Sequence, residues 1–119
     1  MDKIIVKGLE MYAFHGVYAD EKSNGQMFVM DIECGANLAK VCVNDNIDYT
    51  VNYAMLVDTV HRVFTANSYN TIERAAQVVC DEIFMDFPAV KTVKITLKKP
   101  DAPIKKSVDY VAVEINRER

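Results

Sequence analysis

The hydrophobic period of this chain changes twice, and that ordering constrains the fold more than any other feature. Phe28, Met30, Ile32, Cys34, Ala36 and Leu38 alternate with Val29, Asp31, Glu33, Gly35 and Asn37, the two-residue period of a strand with one buried face. From Tyr53 the spacing becomes three and four. Tyr53, Leu56, Val57, Val60, Val63 and Phe64 mark an amphipathic helix that begins after Asn52, and Ile72, Ala75, Ala76, Val79, Cys80, Ile83 and Phe84 mark a second. The second is expected to take Asn70 as its N-cap and to end before Pro88. The shorter period then returns: Val93, Ile95 and Leu97 oppose Thr92, Lys94, Thr96 and Lys98, and a last strand over 107–116 puts Val111, Val113 and Ile115 on one face. A first strand over 3–14 is rich in Ile and Val without one clear phase. Residues 17–25 and 41–51 read as loops, the former with turn chemistry at Asn24-Gly25.

Strand, strand, helix, helix, strand, strand with short connections predicts an α+β fold, a four-stranded antiparallel sheet with two helices across one face. Two helices cannot cover both faces. Val29, Tyr12 or Phe14 is expected on the open one, and an oligomer is expected to bury the remainder.

A chain of 119 residues forms one domain. Its net charge of −3 argues against a nucleic-acid footprint, since Lys98, Lys99, Lys105 and Lys106 form the only basic cluster. No run approaches a membrane span, and the start, with an acid at position 2 and lysines at 3 and 7, lacks the apolar segment of a signal peptide. Three cysteines without a Cys-x-x-Cys pair predict a reduced, cytoplasmic protein, with Cys34 and Cys80 as small core residues.

Few residues are equipped for chemistry. His15 and His61 stand in no metal-binding frame, so no metal is expected and His15 reads as a packing histidine. Phosphate-cradling glycine loops and a serine nucleophile elbow are absent. Lys99 continues the apolar phase of its strand just before Pro100. Desolvation there would favour the neutral amine and suit it to proton transfer, whereas a strand ending at the proline would let it swing to solvent. Glu21 lies in the polar loop after His15-Gly16. Tyr53 opens a helix on its apolar face, where most tyrosines are core residues. Glu73 follows Asn70 by three, the spacing of a capping box; a carboxylate there can instead accept two hydrogen bonds from an amidine-like N–H pair.

In combination, His15-Gly-Val-Tyr-Ala-Asp-Glu21, Gly25-Gln-Met-Phe28, Asp48-Tyr-Thr-Val-Asn-Tyr53, Asn70-Thr-Ile-Glu73-Arg-Ala-Ala and Lys99-Pro-Asp-Ala-Pro-Ile104 resemble the dihydroneopterin aldolase family of folate biosynthesis, in order and over nearly the whole chain. The resemblance implies a tunnelling fold, in which sheets from four subunits close a barrel and two rings stack into an octamer. It implies Glu73 as the anchor of a pterin substrate, helped by a backbone amide at Ile72, and Lys99, Tyr53 and Glu21 as the catalytic set. Val51 and the 49–53 segment would line the pocket from a neighbouring subunit. No cofactor is implied, because the substrate's ring imine can accept the electrons of a retro-aldol cleavage. Lys105-Lys106 stands where the family often has Pro-Gly, which affects the pocket rim. Side-chain epimerisation could accompany cleavage. The rival readings are an epimerase of the triphosphate form and a non-catalytic pterin- or purine-binding module.

Overall fold

The computed structural model describes residues 1–119. Its four strands are β1 (Asp2–Ala13), β2 (Gln26–Ala36), β3 (Thr92–Lys99) and β4 (Val111–Glu118), and its helices are α1 (Ala19–Asn24), α2 (Ala39–Asn44), α3 (Tyr53–Ala66) and α4 (Ile72–Asp86). The strands pair antiparallel in the order β1-β2-β3-β4, and α3 and α4 cover one face.

The covered face follows the two-residue period. Met11, Phe28, Met30, Ile32, Cys34, Val93, Ile95 and Leu97 are buried against Leu56, Val60, Phe64, Ala76, Val79 and Ile83 from the two helices. Fully burying one large apolar side chain contributes roughly 1.5–3 kcal/mol, so the core rests on this one interface. Tyr12, Phe14 and Val29 lie on the opposite face, but its centre is ionic. Glu33 pairs with Lys3 (3.1 Å) and Lys94 (3.6 Å), Lys94 with Glu114 (3.5 Å), and Lys98 with Asp31 (3.0 Å).

The missing phase of β1 has a local cause. Pairing with β2 shifts between Val6 and Leu9, where Gly8 adopts φ +72° and donates its N–H to Asp31 Oδ1 at 2.8 Å. This bulge inserts an extra residue, so Ile4 and Val6 before it and Leu9, Met11 and Ala13 after it all turn towards the helices.

Several boundaries differ from expectation. The two expected loops contain α1, α2 and a 3-10 turn at Ile47–Tyr49. α2 buries no residue, so it leaves no apolar stripe to read. β4 begins at Val111 rather than at 107. The N-cap of α4 is Thr71, not Asn70: its Oγ1 accepts from Arg74 N–H at 3.2 Å. At the other end of α4, Arg119 donates to the carbonyls of Phe84 (2.7 Å), Phe87 (3.0 Å) and Val90 (2.9 Å). It thereby satisfies acceptors that a helix end leaves open.

Cys34 and Cys80 lie in the core, where burial pushes their thiols up to about 12 and about 11, while Cys42 is exposed on α2. No helix is long and apolar enough to cross a membrane.

Candidate active site

Lys99 closes β3 on the covered face, as its phase requires, but it does not meet an apolar wall. Its Nζ lies 2.5 Å from Glu21 Oε2, with the two side chains 12% and 7% exposed. The desolvated neutral amine suggested by the strand pattern is therefore replaced by an ion pair, and the outward swing into solvent does not occur. Lys98, one residue earlier, points to the other face and its own partner, Asp31.

Glu21 is not a solvated loop carboxylate. It is the third residue of α1, and its Oε1 accepts from the Tyr18 N–H at 3.3 Å, capping that short helix. Its Oε2 accepts from Gln26 Nε2 at 3.1 Å as well as from Lys99. Burial alone would raise its pKa, but the Lys99 ammonium, the Tyr18 amide and Gln26 outweigh it and hold the carboxyl below its usual range. Gln26 was missed in the sequence, where it is one polar residue at a strand start. Its Oε1 is buried without a partner.

Glu73 is exposed at the second position of α4 and takes part in no ion pair. With Thr71 as the cap, the third position is Arg74, so the capping-box role for Glu73 is excluded. The N–H groups of Ile72 and Glu73 belong to the first turn and have no intrahelical acceptor. A carboxylate acceptor thus stands beside backbone donors, which suits a planar ligand edge carrying both N–H and acceptor groups. The Ile72 side chain itself is 8% exposed and packs in the core, leaving its amide as the available group.

The two ends of this constellation are joined through residues 14–16, which follow β1. Gly16 N–H donates to Tyr69 O (2.9 Å), Tyr69 N–H donates to His15 Nδ1 (3.0 Å), and Ser68 Oγ donates to Phe14 O (2.5 Å). His15 is fully buried against Phe28, Phe64 and Tyr69, a packing histidine as its position beside Gly16 suggests.

Tyr53 and Val51 lie elsewhere. They border an apolar depression with Ile4, Ile47 and Thr50, whereas Glu21 lines hollows formed with Tyr18 and Pro103 and with Tyr12, Gln26 and Asp101. Tyr53 is 70% exposed, so it is no core tyrosine, and Val51 is 3% exposed and packs inward. A further hollow, lined by Lys3, Glu33, Lys94 and Arg117, occupies the far end of the ionic sheet face. Its Lys3 and Lys94 both already pair with Glu33.

The family model described as dihydroneopterin aldolase matches residues 4–116. The dihydroneopterin aldolase of Streptococcus pyogenes serotype M18 is 33% identical over 119 residues, covering 100% of both chains. Among solved structures, that of Vibrio cholerae FolB superposes with a TM-score of 0.93 at 29% identity, over 100% of this chain and 98% of that one. The Escherichia coli dihydroneopterin aldolase in complex with neopterin superposes with a TM-score of 0.90 at 28% identity, over 98% and 99%.

Proposed function

The chain belongs to the dihydroneopterin aldolase family, and from that premise we propose that it is an aldolase of folate biosynthesis. It cleaves 7,8-dihydroneopterin to glycolaldehyde and 6-hydroxymethyl-7,8-dihydropterin. The observation that carries this reading is the Lys99–Glu21 pair, an ammonium held at a strand end by a carboxylate. Glu21 packs on Gly16, whose segment is tied by the Gly16–Tyr69 backbone bond and by side-chain bonds of His15 and Ser68 to a helix start that offers an unpaired Glu73.

In this reading Glu73 accepts from the pterin amino group and ring N–H, and the Ile72 amide donates to the same ring edge. A base, directly or through water, takes the 2′-hydroxyl proton, and the bond between C1′ and C2′ breaks. Its electrons pass through C1′ and C6 to N5, which Lys99 protonates. Glycolaldehyde leaves and an enamine remains. Return of a proton to C1′, with release of the N5 proton, gives the hydroxymethyl product. Tyr53 moves a proton at the side chain, and Glu21 orients the ammonium or water. The ring imine is the electron sink, so the chemistry needs neither a Schiff-base lysine nor a Lewis acid.

Tyr53 enters this site from a neighbouring copy, and the backbone at Val51 lines the pocket beside it. That they and Glu21 line different hollows of one chain, and the exposure of Tyr53, support that arrangement, in a tetrameric ring or an octamer of two rings. Three free cysteines support a reduced, cytoplasmic setting.

The test is incubation of chelator-treated protein with 7,8-dihydroneopterin. Stoichiometric glycolaldehyde is expected. Pterin binding without glycolaldehyde would instead identify a binding module, and turnover confined to the triphosphate form would identify the epimerase.

A further inference from the structure

We propose that His15 and Gly16 are positioning residues of the reaction: Gly16 provides the space in which the Glu21 carboxylate sits, and His15 ties that contact to the segment leading into Glu73. The inference rests on the roles given above to Glu21, Lys99 and Glu73.

The Glu21 side chain lies directly on the α-carbon of Gly16. A Cβ at that position would stand 2.4 Å from Glu21 Cδ and Oε1 and 2.6 Å from Oε2, well inside any tolerable contact. Gly16 also has φ +147°, a conformation that side chains resist. On its other side, its N–H is bonded to Tyr69 O.

His15 completes the tie. Its Nδ1 accepts from Tyr69 N–H, so it carries no proton, and its Nε2–H donates to Phe64 O at 2.9 Å. Phe64 belongs to the last turn of α3, whose carbonyls lack intrahelical partners. One imidazole thus joins the end of α3 to the segment 67–71 that starts α4. The carboxylate that orients Lys99 and the carboxylate that grips the substrate are therefore held relative to each other through three consecutive residues, Phe14, His15 and Gly16.

A Cβ at Gly16 pushes Glu21 away from Lys99 while leaving Glu73 its ligand. Displacements of about 1 Å at a reacting group cost on the order of 100-fold in rate. The experiment is a double-mutant cycle of Gly16→Ala with Glu21→Asp and Glu21→Gln, following kcat, KM and the fluorescence of bound neopterin. Gly16→Ala is expected to lower kcat by ~10 to 100-fold with neopterin affinity nearly unchanged. Glu21→Asp, shorter by one methylene, makes room for the methyl, so it should recover much of the Gly16→Ala loss. In the Glu21→Gln chain, Gly16→Ala should add little. Wild-type kcat in Gly16→Ala, or the same independent loss in every background, overturns the proposal. Wild-type turnover in Glu21→Gln and Lys99→Ala would instead overturn the roles on which it rests.

If Gly16→Ala does not fold, His15→Asn and His15→Leu carry the test. Asn retains an acceptor for Tyr69 N–H and should keep more kcat than Leu, again at near-constant affinity. Equal kcat in the two, or a loss of affinity matching the loss of kcat, overturns it.

Discussion

Lys98 and Lys99 are adjacent in sequence and opposite in surroundings: one joins Asp31 and lies 5.2 Å from the Tyr110 ring on the ionic face, the other joins Glu21 beside the helices. Lys99→Ala is expected to lower kcat by about 100 to 10,000-fold with little change in KM. Glu73→Ala should mainly raise KM, and Lys98→Ala should leave turnover near wild type. Steady-state kinetics on one substrate series separates the three. The strand phase made the choice of lysine legible in sequence, but not its partner, because Glu21 reaches Lys99 across 78 residues through the conformation of Gly16. His15 carries a pH prediction. Burial lowers its pKa from the ordinary 6.5 more than the Phe64 carbonyl raises it, and Lys22 and Lys99 lower it further. The folded state therefore resists the proton that the unfolded state accepts, so His15 contributes stability in full above 6.5 and loses it as pH falls through the folded value. Thermal melts should show Tm falling as pH drops below the ordinary 6.5, with a shallower slope in His15→Asn. Glu21 acts lower on the scale. Its depressed pKa gives stability that is present above the ordinary 4.5 and lost as pH falls further.

The long elements were readable because their apolar periods are long. α3 and α4 each carry three turns or more of stripe, and β2 and β3 alternate without interruption. The short helices were not. α1 is capped by the side chain of Glu21, whose placement depends on Lys99 and Gly16, and α2 has no buried side to pattern. The shift of the α4 cap from Asn70 to Thr71 is a one-residue matter with a functional result, since it frees Glu73. Thr71→Ala should destabilise the fold by about 1 kcal/mol in denaturant titrations and raise KM more than it lowers kcat, because the frayed turn is the one bearing Ile72 and Glu73. Gly8→Ala tests the bulge in the same titrations. Its Cβ would meet open space, so only the left-handed backbone is penalised, by about 1–2 kcal/mol.

As a whole the chain is elongated, 52 × 26 × 21 Å, with a radius of gyration of 15.5 Å against about 13.5 Å for a compact domain of this length. β1 and β4 leave both sheet edges unpaired, and Tyr53, Met55, Ile47 and Val43 are exposed at 60% or more. Such edges and apolar surface are what self-association removes. Sequence phase could not report this, because the exposed Tyr53 shares its helical spacing with the buried Leu56 and Val60. If neighbouring copies share each site, mixing Lys99→Ala with Tyr53→Phe chains under exchange should restore activity at about a quarter of the sites, where neither variant alone is active. Activity no greater than the sum of the separate variants would assign each site to one copy. The placement of the three cysteines also turns the native protein into its own gauge of opening. Only Cys42 presents a thiol to solvent, while Cys34 sits in the sheet and Cys80 in α4. A thiol-reactive chromophore should therefore consume one equivalent per chain at once. The second and third should arrive together, at the rate at which α4 lifts from the sheet, timing the exposure of the core beneath the helix that carries Glu73.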